Sequence, residues 1–319
     1  MIQLLQLLSD GAFHSGAALG QQLGVSRTAI WKQIHRWQEK GQYFDVVPGK
    51  GYRWRNPVEW WSESALLSFM SPAARAALSS LQIDASVAST NTLALERVTH
   101  TLQSGCIFMA EEQTAGRGRR GRQWLGALGG GLYASVTWVF DDGVSALEGL
   151  SLAVGLVVAK ALQRYGVMGV GLKWPNDIMI GDAKLGGILI EMQIDGEGRS
   201  LVVVGIGLNL CRHVALDGLA RDVAAVQDGL NGRQLERNRI AAMVLGDTLE
   251  LLESYRAGSF AVLKQQWCDL DVLAGQSVVL ENGLMAGIGR GVDDRGALLV
   301  EVEGAIKSIC SGEVSLRRV

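Results

Sequence analysis

A run of cations on a glycine-rich backbone occupies residues 116–122, with the sequence GRGRRGR. Arginine forks match carboxylate and phosphate groups bidentately, and glycine lets the backbone adopt unusual φ and ψ angles around a ligand. The run lacks the GxxxxGKS/T order of a P-loop. A nucleic-acid patch, a loop that orders around an anion and an ordinary solvated turn all have this composition. The run by itself leaves the three open.

Two lysines, an amide and a carboxylate lie close together in the sequence of residues 171–192. Lys173 ends a predicted strand, and Pro175 forces a turn. Asp177 begins the next strand, and Lys184 precedes a pair of glycines where backbone can approach a flat ligand. Such a set suits a polyphosphate with Mg²⁺. The alternative is a surface hairpin with two ordinary lysines.

Two further motifs are weaker. Hydroxyl and amide side chains in ASTNT (88–92) precede a predicted helix over 93–98. They suit either a small polar ligand at the helix N-terminus or an ordinary N-cap. GIGLN (205–209) leaves room beside a strand and supplies the amide of Asn209, but it does not match the Rossmann GxGxxG.

The first of three stretches that must position these residues is 1–55. Serine caps and glycine stops predict three helices, and a Pro-Gly-Lys-Gly turn predicts a hairpin after them. The predicted bounds are helices 2–8, 16–23 and 27–40 and strands 43–47 and 52–55. Ile30, Ile34 and Trp37 form one buried stripe on the third helix. Two helices joined by a tight turn and followed by a hairpin predict a winged helix-turn-helix.

Charge separates this stretch from the rest of the chain. Residues 1–55 hold seven Lys and Arg against three Asp and Glu, a net +4, which leaves −6 for the remainder of a chain of formal net charge −2. This favours DNA binding over a three-helix protein-interaction domain. The side chains predicted to contact DNA are Arg27, Thr28, Lys32, Arg36 and Lys50.

The remaining stretches predict an α+β multidomain protein. Residues 56–64 are a predicted linker, and 65–270 mix apolar helices with strands. The short turns between strands favour an antiparallel or mixed sheet over a parallel βαβ sheet. In residues 271–319 short strands recur between turns at 281–283, 293–296 and 303–304, the pattern of a small β-barrel. The predicted helices of the middle stretch are 147–165 and 240–255, and its strands are 106–110, 132–140, 170–174, 188–194 and 201–210.

Composition excludes several classes of protein. The 48 % hydrophobic and 19 % charged residues argue against disorder. The four cysteines and four histidines show no metal-ligand spacing, so we expect reduced packing cysteines and no structural zinc. The N-terminus lacks a secretory signal, and the apolar runs are too short to span a bilayer. We therefore expect a cytoplasmic protein without membrane contact.

Four motifs and the order of the stretches together closely resemble the bifunctional biotin protein ligases of bacteria, which also repress the biotin operon. The motifs are GRGRRGR (116–122), KWPND (173–177), KLGGIL (184–189) and GIGLN (205–209), and the resemblance covers essentially the full length. It implies three domains: a winged helix-turn-helix (1–60), a mixed-sheet ligase core (65–270) and an SH3-like barrel (271–319).

The resemblance also implies the chemistry. Biotin and ATP would form biotinyl-5′-AMP and pyrophosphate, and biotin would then pass to a lysine of the biotin carboxyl carrier protein of acetyl-CoA carboxylase. The adenylate would also act as corepressor, with a homodimer bound to the operator DNA of biotin genes. ATP and Mg²⁺ are the implied cofactors.

Site residues follow from the resemblance motif by motif. Those implied to hold the ureido ring of biotin and its entrance are Ser89, Thr90, Asn91 and Gln113. Those in the loop that closes over the ligand are Arg117, Gly118 and Arg119, and Lys184 would contact the biotin carboxylate and α-phosphate. Those assigned to ATP, its metal or the adenylate are Arg122, Trp124, Lys173, Asn176, Asp177 and Asn209. Within these sets, Arg119, Lys173, Asp177 and Lys184 are the predicted catalytic residues, and Asp177 is the predicted Mg²⁺ ligand and helper in deprotonating the acceptor lysine.

Trp31 departs from the family pattern, which has a small polar side chain at this place on the recognition helix. A thymine methyl group, the DNA backbone and the wing are its candidate contacts.

Three other functions compete with the bifunctional assignment. A lipoate–protein ligase is disfavoured by the winged helix and the GRGRRGR loop, and a pure sensor-regulator by the phosphate-handling residues. A ligase without repression is disfavoured only by the +4 balance of residues 1–55.

Overall fold

The computed structural model describes residues 2–99, 101–141, 143, 147–212, 222–280, 285–310, 312 and 314–316. The chain forms two compact units. One holds the described residues up to Trp61, and the other begins at Ser62 and includes the C-terminal β strands. The predicted barrel therefore belongs to the same compact unit as the predicted ligase core, whereas the predicted winged helix-turn-helix is a unit of its own.

The first unit begins with three helices, as predicted. Ser15 and Ser26 cap the second and third helices, because their side chains accept hydrogen bonds from the backbone N–H groups of Ala18 and Ala29. The predicted stripe on the third helix is buried. The helices are α1 (Ile2–Leu7), α2 (Gly16–Leu23) and α3 (Arg27–Glu39), and the strands are β1 (Phe44–Val47) and β2 (Gly51–Trp54).

The β1–β2 hairpin is the predicted wing. Its strands pair antiparallel, and Tyr52 also pairs with His14, in the segment before α2. A Cβ atom at Gly51 would lie 2.0 Å from the His14 carbonyl oxygen, and the residue has a φ of +102°. Only glycine fits this close approach, which attaches the wing to the helices of its own unit.

The second unit is built on a seven-stranded mixed sheet. Its strand order is β3-β4-β7-β11-β10-β9-β8, with β3 and β4 parallel and the other neighbours antiparallel. This confirms the predicted mixed sheet. The strands are β3 (Ser80–Asp84), β4 (Cys106–Ala110), β7 (Gly131–Phe140), β8 (Val170–Lys173), β9 (Asp177–Ile180), β10 (Ala183–Ile194) and β11 (Ser200–Asn209), and a separate hairpin is formed by β5 (Gln113–Arg117) and β6 (Gln123–Gly126).

Helices cover this sheet. The helix α6 packs on β4, β7 and β11, where Ala94 and Val98 meet Phe108 and Val203. Ile107 precedes Phe108 on β4, so its side chain points to the opposite face of the sheet, and it is buried as well. The helices α7 and α8 pack on each other and against the sheet. The helices of this unit are α4 (Glu63–Phe69), α5 (Pro72–Ala77), α6 (Thr90–Val98), α7 (Leu150–Tyr165), α8 (Arg237–Ser254) and α9 (Ser259–Cys268).

Several element boundaries differ from the prediction. The predicted linker 56–64 ends early, because Ser62 caps α4 from Glu63. The helix predicted from 147 begins at Leu150, because Gly149 before it has a φ of +71°. Among the elements that were not predicted are the helices α4, α5 and α9 and the strand β3. Among the described residues, no helix combines the length and apolar character needed to cross a bilayer.

The C-terminal strands form a five-stranded antiparallel sheet in the order β15-β14-β13-β12-β16. They are β12 (Ser277–Leu280), β13 (Met285–Val292), β14 (Leu298–Val302), β15 (Ala305–Ile309) and β16 (Val314–Leu316). The predicted turn at 293–296 joins β13 to β14, where Asp293 accepts hydrogen bonds from the backbone N–H groups of Arg295 and Ala297. The predicted turn at 281–283 lies outside the described residues.

Candidate active site and nucleic-acid interface

A cavity of about 410 Å³ lies between the β5–β6 hairpin, the β8–β9 turn and the middle of β10 and β11. The structure brings thirteen of the fourteen predicted ligase residues to it. They are Ser89, Thr90, Asn91, Gln113, Arg117, Gly118, Arg119, Arg122, Trp124, Lys173, Asn176, Asp177 and Lys184. The cationic run thus lines a cavity in its own unit.

Asn209 is the predicted residue that does not line the cavity. Its side chain is buried, and its Nδ2 donates to the carbonyl oxygen of Ala224 at 3.1 Å. The bond connects the end of β11 to residues 222–224, which pair with Lys184 through its backbone. The Asn209 side chain therefore supports the segment that pairs with the backbone of Lys184.

One end of the cavity is polar and uncharged. The Oε1 atom of Gln113 accepts from the Thr90 backbone N–H at 2.8 Å and from its hydroxyl at 3.2 Å. Ser135 donates to the hydroxyl of Thr90 at 2.8 Å or to Oδ1 of Asn91 at 2.6 Å. Ser89 precedes α6 but makes no capping hydrogen bond, so the simple N-cap alternative is wrong for its side chain. These groups offer both donors and acceptors to a small polar ligand.

Glu191 connects this end to the cationic hairpin. Its Oε2 accepts from Nδ2 of Asn91 at 2.9 Å, and its Oε1 pairs with Arg117 at 2.8 Å. Sequence reasoning missed both Glu191 and Ser135, although each is a polar residue flanked by apolar ones in a strand. Gly205 lies beneath Asn91, and a Cβ there would be 2.4 Å from Oδ1.

The other end of the cavity is charged. Over the whole lining, five Lys and Arg side chains outnumber three Asp side chains, so the excess charge is positive. Lys184 forms an ion pair with Asp177, in which both side chains are largely shielded from solvent. Arg119 reaches Oδ1 of Asn176 at 3.3 Å, and the Asn176 amide donates to the Ile188 carbonyl at 2.8 Å. The hairpin, the β8–β9 turn and β10 are thereby joined through side chains that match phosphate and carboxylate groups.

Trp124 forms a flat wall between the two ends. Its indole lies over Gly207, where a Cβ would be 2.8 Å from the ring. The Lys184 Nζ lies 5.8 Å from the ring centroid. The Nε1 atom of Trp124 is buried and has no hydrogen-bond partner among the described residues. A planar group stacked beside this indole would find an apolar face, and the unmatched donor points to an acceptor on a ligand.

Carboxylates that line the cavity are the candidate protein ligands of the predicted magnesium ion. Asp182 and Asp222 line the cavity together with Asp177, and sequence reasoning missed these two. In the part of the chain that the structure describes, no three His, Cys, Asp or Glu residues come together as a metal cage. Asp177, Asp182 and Asp222 are carboxylates of the kind that Mg²⁺ bound to nucleotide phosphates takes from a protein.

The cysteines are free thiols, but only one of them is fully buried. Cys106 lies in the core, Cys211 and Cys268 are partly buried, and Cys310 is exposed, so the predicted packing role is wrong for Cys310. Burial raises the pKa of the Cys211 thiol, which disfavours the reactive thiolate.

The predicted DNA-contacting residues lie on the surface of the first unit. The exposed ones on α3 are Arg27, Thr28, Lys32 and Arg36, and Lys50 is exposed at the tip of the wing. Arg53 and Arg55 are bound to Asp45, at 2.6 and 2.5 Å, and this contact with Arg55 and Arg53 lowers the pKa of Asp45. A count of charges therefore overestimates the wing's contribution, and the cationic face lies mainly on α3.

Comparisons with known proteins identify the family and the fold. Three family models match: an HTH domain over 1–53, the biotin/lipoate A/B protein ligase family over 84–209 and the biotin protein ligase C-terminal domain over 277–317. The bifunctional ligase/repressor BirA of Escherichia coli (strain K12) is 37 % identical over 99 % of this chain and 97 % of its own length. A biotin–[acetyl-CoA-carboxylase] ligase of Mycobacterium tuberculosis is 33 % identical over 73 % of this chain and 88 % of its own. The structure of an Aquifex aeolicus biotin protein ligase in complex with biotin and ATP matches with a TM-score of 0.64 at 30 % identity, over 76 % of this chain and all of that one.

Proposed function

The chain belongs to the bifunctional ligase/repressor family of biotin protein ligases, and on that premise we propose how its residues perform the two activities. It is an ATP-dependent biotin protein ligase and a transcriptional repressor of biotin synthesis genes. The ligase forms biotinyl-5′-AMP and transfers biotin to a lysine of biotin carboxyl carrier protein. The observation that carries the residue assignment is that one cavity joins a neutral polar end to an end with an excess of Lys and Arg side chains.

The neutral end receives the head group of biotin. A ureido ring offers one carbonyl acceptor and two N–H donors. The cavity side chains Ser89, Thr90, Asn91 and Gln113 supply matching hydroxyl and amide groups. Glu191 fixes the orientation of the Asn91 amide. The absence of a net charge on these four side chains suits a neutral ring and leaves the carboxylate of biotin to reach the other end.

The cationic end brings two anions together. A carboxylate oxygen of biotin attacks the α-phosphorus of ATP, and pyrophosphate leaves with the electron pair of the broken P–O bond. Lys184, Lys173 and Arg119 offset the repulsion between the carboxylate and the triphosphate and stabilise the charge on the leaving group. Positioning supplies part of the rate, for which well-oriented reactants offer about 7–11 kcal/mol.

The nucleotide lies against Trp124 in this proposal. The indole, close to Gly207, offers a flat face to the adenine, and its unmatched Nε1 offers a donor. Asn176 and Arg122 line the same region. Mg²⁺ bound to the phosphates would neutralise further charge, and Asp177 is its proposed protein ligand.

Transfer to the carrier protein needs a neutral amine. The acceptor lysine has an ordinary pKa of about 10.4, so it must lose a proton before it attacks the anhydride carbonyl and AMP leaves. Asp177 is the proposed acceptor of that proton. The β5–β6 hairpin, through Arg117, Gly118 and Arg119, closes over the anhydride and excludes water from it.

Repression uses the first unit. We propose that α3 enters the major groove and that Lys50 on the wing contacts phosphate. Binding of the adenylate favours a homodimer, which presents two winged helices to two half-sites of the operator. We also propose a cytoplasmic location, where ATP and the carrier protein are available.

One experiment tests both activities. The full chain is incubated with ATP, labelled biotin and a biotin-acceptor domain, and pyrophosphate release and label on the acceptor are measured. We expect ATP-dependent labelling, and we expect sedimentation and DNA binding to respond to biotin plus ATP together but to neither alone. Equal or preferred transfer of lipoate in competition would favour the lipoate ligase alternative. DNA binding without any pyrophosphate release would favour a pure sensor.

A further inference from the structure

We propose that Trp31 reads the 5-methyl group of a thymine in the major groove and that His35 holds its ring in place. This inference rests on the proposed repressor function, because it names a base that the α3 helix recognises. It makes Trp31 a residue that determines sequence specificity, in contrast to the cations around it.

The exposure of Trp31 is the first observation. Its side chain is 50 % exposed, whereas Trp37 on the same helix and Trp54 on the wing are 2 % and 1 % exposed. Trp31 is therefore not part of the core of its unit. It lies one turn after Thr28 and one turn before His35 on the solvent face of α3, away from the buried stripe.

The second observation is the contact between Trp31 and His35. Their ring centroids are 4.2 Å apart with an interplanar angle of 69°, an edge-to-face arrangement. An exposed tryptophan ordinarily samples several rotamers. The histidine at i+4 restricts them and orders the indole before DNA arrives, which lowers the entropy lost on binding.

The third observation is the setting of the indole among cations. Lys32 and Arg36 are exposed one position after Trp31 and His35, respectively, and Arg27 is exposed at the start of the helix. These side chains suit phosphates. The indole carries no charge and its ring face is apolar, so the complement of that face in the groove is apolar. Among the groups that bases present at the floor of the major groove, the thymine methyl is the apolar one.

The probe is a duplex selected from a random library by the full chain with biotin and ATP. Each thymine is then replaced singly by deoxyuridine, which removes only the methyl group. We expect one or more positions per half-site at which affinity falls about fourfold, the equivalent of one buried methyl group. Trp31→Ser is expected to bind the thymine and deoxyuridine duplexes equally, and His35→Ala to lose part of the discrimination.

Salt dependence separates base reading from backbone contact. We expect Trp31→Ser to leave the slope of log K against log salt unchanged, and the matched variant Lys32→Ala to reduce it by about 1. Unfolding midpoints verify that the variants fold. The proposal is overturned if deoxyuridine has no effect on the unsubstituted protein, or if Trp31→Ser retains the same sensitivity. Failure to enrich any duplex would instead contradict the repressor function itself.

Discussion

The indole Nε1 of Trp174 donates a hydrogen bond to the carbonyl oxygen of Gly296 at 3.0 Å. Trp174 is buried within KWPND and lines the ligase cavity, and Gly296 belongs to the turn between β13 and β14 of the C-terminal sheet. A Cβ at Gly296 would lie 2.9 Å from Leu152 of α7. The C-terminal sheet thus contacts the KWPND motif at Trp174, between Lys173 and Asp177.

Loss of this bond is expected to affect the nucleotide more than biotin. Trp174→Phe keeps the ring but leaves the Gly296 carbonyl without its donor, at a cost of about 1–3 kcal/mol. We expect a higher KM for ATP and a small change for biotin, measured by pyrophosphate release. The control is Arg295→Ala in the same turn, which removes an exposed pair with Glu148 and should behave nearly as the unsubstituted protein. Equal effects of the two variants would contradict a specific role for the indole.

Lys184 is expected to act on chemistry more than on binding. Its Nζ pairs with Asp177 inside the cavity, beside the proposed position of the α-phosphate. Lys184→Ala should slow adenylate formation by about 100-fold or more in single-turnover assays, the effect of losing a preorganised charge in an active site. The dissociation constant for biotin, measured by calorimetry, should change much less. Comparable losses in the two measurements would refute the assignment.

Arg119 is expected to retain the intermediate. It connects the β5–β6 hairpin to Asn176, so Arg119→Gly should let the hairpin open more readily. The adenylate would then leave and acylate lysines on unrelated proteins, which a labelled-biotin assay with a bystander protein detects. Bystander labelling no greater than that of the unsubstituted chain would count against the closing role.

A methyl group at residue 205 should damage the biotin site. In Gly205→Ala the new Cβ would lie 2.4 Å from Oδ1 of Asn91, so Asn91 must shift away from Ser135 and Glu191. We expect biotin affinity to fall by roughly tenfold, the equivalent of about 1.4 kcal/mol, with a smaller effect on ATP. Gly196→Ala, in an open turn with no atom within 4 Å of its Cβ, is the matched control. Unaltered biotin binding in Gly205→Ala would show that Asn91 does not hold the ligand.

The buried carboxyl of Asp271 is expected to make the free energy of unfolding depend on pH. Burial raises its pKa from 3.8 to about 6, and its Oδ2 is buried without a partner among the described residues. The folded state holds this proton up to a higher pH than the unfolded state does. The carboxyl therefore destabilises the fold progressively as pH rises from about 4 to 6, and the penalty is complete above that window.

Replacement by a neutral isostere removes the penalty. Asp271→Asn keeps an acceptor for the Leu273 backbone N–H and should raise the free energy of unfolding at pH 8 by up to about 3 kcal/mol, at about 1.4 kcal/mol per pKa unit. The gain at pH 5 should be about half as large. Denaturant titrations at the two pH values measure it. A variant less stable than the unsubstituted chain at pH 8 would contradict the inference.

Local elements were the most predictable part of this protein. The caps at Ser15 and Ser26 and the stripe on α3 are encoded within a few residues, and the structure confirms them. The linker was predicted too long, since the cap at Ser62 is a single weak signal among loop residues. The sequence gives the net charge of +4 for residues 1–55 but not which charges are paired. The pairing of Arg53 and Arg55 with Asp45 depends on the register of the two wing strands.

The sequence by itself determined which chemistry the chain carries, because the motifs place arginines, lysines and glycines on short segments whose residue types are sufficient to recognise them. Only the tertiary structure decided which groups complete the site. Ser135 and Glu191 lie on strands whose register turns them toward Asn91, and Asn209 is turned toward Ala224 instead of the cavity. A shift of one residue in a strand would reverse every side chain, and register is set by pairing with distant strands. For the same reason the bond between Trp174 and Gly296, 122 residues apart, has no signature in the local sequence.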